Sequence, residues 1–445
     1  MTSSVSQLLV TDGRITGFDG SSTVPVRRID FGGGTAVPAF ELLELNLDRR
    51  LRGQTALRLN DAASRSDLVL KVQYAHRRLP PEAWIIGEGF DDESWPDGPP
   101  RAGDLEGVAP GRPVALEHVS EKRWWLSHEA KTRLAIEVPK PVVSGRAASE
   151  VRSRLPPPTG SSLLAGLLEV QRGLLAQGVV EAEASVASAS VREGLFELER
   201  RGDLKIRFRL WLDGADIGPI PDATRGRFVS IDGLHLRWDP NLEELLLARA
   251  VTAFQKGHAI ALHGAPVNRA AAWLRYVSES SGSAPRFRMV AAQDASAFLR
   301  VIADAGMELA TNPELPPSAS SSVPLASAVA AGIDVRYAGI PPLRGAHAAV
   351  NGGRPASDEQ LRAPEEERLP VHQALGLAFT HEGATASSLG LGSKATFVVL
   401  DRDPLTVDPA QLGLMQVLAT VVRGEVAFLR AGSPQAPLRF KSSSR

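Results

Sequence analysis

Through most of this chain, short apolar runs of strand length alternate with longer amphipathic stretches. The runs at Trp84–Ile86, Val114–Leu116, Lys205–Leu212, Phe228–Ile231, Ala259–Leu262, Arg288–Ala291 and Ile333–Tyr337 predict β-strands. Apolar residues recur at helical spacing over Ser161–Gln177, Leu242–Lys256, Val267–Glu279, Ala295–Ala305 and Pro370–Phe379. The last opens on a proline suited to a first helical position. Strand and helix in alternation is the pattern of a βα barrel. The two ends read differently. Ser6–Phe18 is a hairpin turning at Thr11-Asp12-Gly13, and Val24–Phe31 reads as a further strand. Ala395–Leu400 and Val417–Leu429 are β-rich, with a turn at Gly424. Strands at both ends around a long middle predict a small β-domain assembled from the two termini.

Two stretches break the alternation. Val143–Ser162 carries Pro156-Pro157-Pro158, and Gly345–Glu367 is polar with glycine and proline. Both read as surface connections, with a lid over a barrel mouth as the alternative. The closing KSSSR reads as a disordered tail.

Composition narrows the function classes. The chain has 445 residues and a formal charge of −1, so no strong field points to nucleic acid or an anionic membrane. Cysteine is absent, which excludes disulfides, thiolate metal sites and a cysteine nucleophile. No run approaches the roughly 18 apolar residues of a membrane span. The N-terminus shows neither a basic region nor a long apolar core, so a cytoplasmic location is expected.

The stretch Phe31–Arg49, FGGGTAVPAFELLELNLDR, passes from a glycine turn through an apolar run to closely spaced polar residues. It resembles the opening motif of the amidohydrolase superfamily, in which a Pro-Gly-Phe turn precedes a His-x-His pair. Pro38 and Phe40 fit; Ala39 replaces the glycine, and Glu44 and Asn46 stand at the histidine positions. Gly87, Gly89, Phe90, Asp91, Trp95 and Pro96, then Asp104-Leu105 and Arg112-Pro113-Val114, resemble the branch that includes N-substituted formamide deformylases. Ala374-Leu375, Thr380, Gly383-Ala384 and Val398-Val399-Leu400-Asp401 resemble the family's closing segment. The resemblance implies a distorted (β/α)8 TIM barrel over residues 38–387. It also implies a composite β-sandwich from residues 1–37 and 388–445.

It further implies a catalytic divalent metal, but the metal-bearing positions have changed. Lys122 stands for one histidine, Phe228 for the lysine, and Arg286 to Ala291 for a segment that carries two histidines and a glutamate. Ile340 stands for the aspartate. Of the expected ligands only His263 remains, and one histidine cannot hold zinc. The metal is therefore expected to be absent, leaving a pseudoenzyme with a ligand-binding, regulatory or scaffolding role. The alternative is an active hydrolase of non-peptide C–N bonds, with a relocated metal or with metal-free acid/base catalysis by His263, Asp232 and Glu44. Glu44 and Asn46, two apart on a strand, would share a face and meet a small polar ligand, with Lys122 and His263 as further contacts. Each also has a structural reading: filled space, a relic histidine, a solvated charge. His118, His235 and His258 show no mutual metal-ligand spacing and read as structural or surface residues. A homo-oligomer or an active paralogue is the expected kind of partner.

Overall fold

In a computed structural model, the described residues are 7–19, 29–80, 82–120, 122–156, 160–186, 188–214, 219–281, 286–290, 299–311, 324–353, 365–380 and 389–432. Val24–Arg28, Ala291, residues 383–384 and the KSSSR tail lie outside them. The chain forms two units, residues 1–47 with 168–445, and residues 48–167.

The first unit is built on eight parallel strands: β1 (Phe40–Asn46), β2 (Val179–Val186), β3 (Arg207–Asp213), β4 (Val229–Arg237), β5 (Ala259–His263), β6 (Phe287–Val290), β7 (Glu308–Thr311) and β8 (Val335–Tyr337). They pair in sequence order. A parallel bridge between Leu43 and Ala338, with the Gly339 amide donating to the Leu43 carbonyl at 2.9 Å, brings β8 back to β1. The result is a nearly closed TIM-like barrel. Helices such as Glu243–Gln255 and Val267–Ser281 connect its strands. β2 and β7 were not among the expected strands. β2 carries Glu181 and Glu183 at alternate positions, which breaks the apolar run that marks a buried parallel strand.

The chain ends form a four-stranded antiparallel sheet in the order Thr35–Pro38, Phe397–Leu400, Val417–Val422, Glu425–Leu429. The hairpin Leu8–Thr11/Arg14–Phe18 turns at Asp12-Gly13 as its sequence predicts. Ile15, Ala395, Phe397, Val399, Ala419 and Val421 pack into one apolar cluster beneath these strands.

The second unit departs from expectation. Ile85–Phe90 and Val114–His118 are strands, but they belong to a separate five-stranded sheet with Leu57–Arg58, Arg123–Leu126 and Val142–Ser144. Apolar runs in any parallel sheet look alike, so spacing alone assigned them to the barrel. Alternate residues serve opposite faces here: Val114 and Leu116 join one core layer, Ala115 the other. The Val143–Ser162 stretch holds the helix Gly145–Arg154 rather than a plain connection, and the Gly345–Glu367 stretch begins within the helix Pro342–Asn351. No helix among the described residues is long and apolar enough to cross a membrane.

Candidate functional site

The C-terminal ends of β1, β4 and β5 bring Glu44, His235 and His263 together. Each arrives for a local reason. In β1, Leu42 pairs with Ala182 and Leu45 with Ala184, so Leu43 and Glu44 together oppose Glu183. This is a bulge, and Glu44 adopts a left-handed backbone with φ +58°. The bulge cancels the alternation that would have put Glu44 and Asn46 on one face. Glu44 turns toward the two histidines, while Asn46 is exposed. His235 follows Gly233 by two along β4 and is buried; His263 is the last residue of β5.

His235 Nδ1 lies 2.7 Å from His263 Nε2 and 3.7 Å from Glu44 Oε1, and His263 Nε2 lies 4.0 Å from Glu44 Oε2. Burial keeps both imidazoles neutral. The pKa of His263 is pushed down to about 4 by desolvation, then by the Arg237 and Arg288 charges. His235 is driven well below its usual value by desolvation, His263 and the same arginines. Burial, then the nearby Glu183 charge, raises Glu44 to about 7. Glu44 Oε1 has no hydrogen-bond donor among the described residues. A buried carboxylate oxygen without a donor is costly unless a cation faces it. Two neutral imidazoles and a carboxylate are also the donor set of known catalytic zinc sites, whose ligand atoms stand roughly 3.3 Å apart at bond lengths of about 2 Å. By donor type the residues fit a divalent cation, which the 2.7 Å nitrogen pair would have to open to about 3.3 Å to hold.

Residues 266–428 match the sequence profile of the amidohydrolase family, Amidohydro_3. That match covers 163 of the 445 residues, so the likeness to the amidohydrolase family is carried by the C-terminal part of the chain. It is 33% identical over 107 residues to a Bacillus subtilis (strain 168) protein named "Putative amidohydrolase YtcJ"; the aligned stretch covers 22% of this chain and 20% of that relative's length. Two solved structures share the fold. An uncharacterized metal-dependent hydrolase from Pyrococcus horikoshii OT3 matches with a TM-score of 0.68 at 19% identity, over 90% of this chain and 94% of that one. Another from Pyrococcus furiosus matches with a TM-score of 0.69 at 19% identity, over 90% and 95%.

Beside the cluster, the interior of the barrel is charged. Arg288, fully buried on β6, bonds Glu308 Oε2 at 2.7 and 2.9 Å and also bonds Glu183. Arg209 bonds Glu41 at 2.6 Å and lies 2.8 Å from Glu181. The Arg288 guanidinium sits 5.0 Å over the Trp211 ring, and Trp211 lies 5.2 Å from the His235 ring. A Cβ on Gly233 would come within 2.5 Å of Trp211, so the indole has its place only because residue 233 is glycine. Packing around Trp211, Ala259, Ala261, Ala310 and Ala338 gives the barrel centre its apolar filling.

The other expected residues fall elsewhere. Leu210 pairs with Ile231 and Trp211 with Gly233, which makes Asp232 the extra residue of a β4 bulge; no contact joins it to His263 or Glu44 among the described residues. Phe228 precedes β4 at its N-terminal end, away from the barrel mouth, whereas Ile340 is buried after β8. Lys122 is exposed in the 48–167 unit. His235 was missed because its partners arrive from other strands. The signal available was its place two residues from each of Gly233 and Arg237 on a strand that alternates between barrel interior and helix layer. His118, read as structural or surface, is buried and joins Asp91 and Asp92. Arg123 Nη2, 2.6 Å from His118 Nε2 and 2.8 Å from Asp92, already supplies a cation there. His258 bonds the Pro221 carbonyl at 2.8 Å, a structural role.

Proposed function

We propose that the chain is a hydrolase of a carbon–nitrogen bond outside peptides, with Glu44, His235 and His263 holding one divalent cation. The observation that carries this reading is the convergence of two neutral imidazoles and a carboxylate oxygen with no donor among the described residues, at strand ends that form a barrel's usual catalytic face. A cation bound there would supply Lewis acidity and lower the pKa of water. The remaining work falls to the chain. Burial keeps both imidazoles neutral, and the Arg288–Trp211 stack backs the His235 ring. Ile340 cannot take a proton where the family has an aspartate. The framing residues Gly87 to Pro96 and the formamide deformylase resemblance support an amide as the bond attacked.

The 2.7 Å His235–His263 contact favours a second reading. There no metal is held, and the cluster either moves protons itself or only binds a ligand, as in a pseudoenzyme. Elemental mass spectrometry decides between them, on protein made in zinc- and manganese-supplemented medium without a chelating tag. The first reading expects about one metal equivalent, lost in His235→Ala and His263→Ala, and metal-dependent hydrolysis within a panel of formamides and simple amides. Metal at background level would retire it.

A further inference from the structure

Arg237 ends β4 at the barrel mouth. It lies two residues beyond His235, so the strand's alternation sends both side chains to the same side. Its Cα pairs in register with His263, and the next amide, Trp238 N–H, donates to the His263 carbonyl at 2.9 Å, which fixes it level with the end of β5. It is exposed, and its side chain forms no hydrogen bond or ion pair with any described residue. Its charge nonetheless reaches inward: it depresses His235 and His263 and opposes the rise of Glu44. The other arginine acting on the cluster, Arg288, is spent on Glu183 and Glu308. Among the described residues Arg237 is thus an uncommitted cation facing the site.

We propose that Arg237 selects substrates carrying a carboxylate next to the bond to be cleaved, so that the substrate class is a small carboxylate-bearing amide. The proposal rests on the hydrolase reading. One guanidinium matches a carboxylate monoanion in a two-point hydrogen bond, whereas a phosphate dianion would call for further cations. Two residues of strand rise put Arg237 Cα roughly 6–7 Å beyond His235. The carboxylate would then lie a few bonds from an amide carbonyl held at the cluster. A dicarboxylic acid monoamide has that spacing.

The test compares succinamate with succinamide, which differ by one charge, by saturation-transfer NMR and calorimetry. It uses the full chain, zinc-supplemented and metal-stripped, as wild type, Arg237→Gln and Arg237→Lys. Wild type is expected to favour succinamate by about tenfold, with the preference falling as salt rises. Arg237→Gln should bind the two equally, and Arg237→Lys should keep part of the preference; thermal unfolding shows that each variant is folded. No succinamate preference in wild type, or one that survives in Arg237→Gln, overturns the proposal. Zinc stoichiometry is read separately. A preference that depends on Arg237 in protein that takes up no zinc keeps the anion site and sinks the hydrolase reading. Zinc uptake without the preference does the reverse.

Discussion

Glu44 occupies a left-handed backbone position that costs a residue with a side chain about 1–2 kcal/mol, and it buries a carboxylate as well. Both penalties sit at the site, where strain is tolerated for function. Glu44→Gly is therefore expected to raise the unfolding free energy by about 1 kcal/mol in urea titrations and to abolish zinc uptake. Loss of stability would show that Glu44 packs rather than binds. The pH dependence separates Glu44 from His263. Glu44 has its pKa raised, so its contribution is fully present below about 4.5 and is lost as pH rises through about 7. His263 has its pKa lowered, so its contribution is present above about 6.5 and is lost as pH falls through about 4. In metal-stripped protein the two slopes oppose each other between pH 4.5 and 6.5. Glu44→Gln should remove one of them and make stability climb more steeply across that window. An unchanged profile would mean that Glu44 titrates normally. At this scale the sequence showed Glu44 and His263 as polar residues at a strand end. It hid His235, because a contact between residues 28 apart depends on strand register, which no local spacing records.

At the scale of elements, the barrel is held by ion pairs as well as by apolar packing. Arg288 ties β6 to β2 and β7 and lies over a tryptophan of β3. Removing it takes the nearest counterion from two buried glutamates, leaving Glu183 with Arg209 at 3.5 Å and Glu308 with Arg286 at 3.5 Å. Breaking a buried pair in this way costs about 3–5 kcal/mol. Arg288→Met should lower the urea midpoint by a corresponding amount, whereas Arg172→Met, which loses only an exposed helix pair with Glu169, should change stability by less than about 1 kcal/mol. Equal effects would mean that the interior charges are solvated. The same network explains what sequence pattern could and could not show. Strands with continuous apolar runs, such as β5, were legible. β2 was not, because Glu181 and Glu183 are polar residues placed inward to meet Arg209 and Arg288, and a pattern of burial cannot foresee pairing across the barrel.

At the scale of the whole molecule, the chain leaves the barrel after β1 and builds a second sheet before β2 begins. Alternation of strand and helix runs through both, so Ile85–Phe90 and Val114–His118 of the inserted sheet read as barrel strands. What distinguishes the inserted unit is closure of its own core. Leu59, Leu68, Val72, Phe90, Trp95, Val114, Leu116 and Trp125 form one apolar layer; Ala115, Trp124, Leu126, Leu134, Val143 and Val151 form the other. Its helix Arg65–Arg78 is capped from within: Ser64 accepts from the Asp67 amide, and Asp97 accepts from the Arg65 and Ser66 amides. A segment of about one hundred residues with two core layers and satisfied helix ends meets the usual size for independent folding. Residues 56–156, which omit the helices that run across either boundary, are therefore expected to fold alone. Cooperative thermal unfolding and blue-shifted emission from Trp95, Trp124 and Trp125 would be the signature, because all three are buried. Broad melting with solvent-exposed tryptophan emission would mean that these layers close only in the intact chain. The barrel and its insert would then be one folding unit despite their separate sheets.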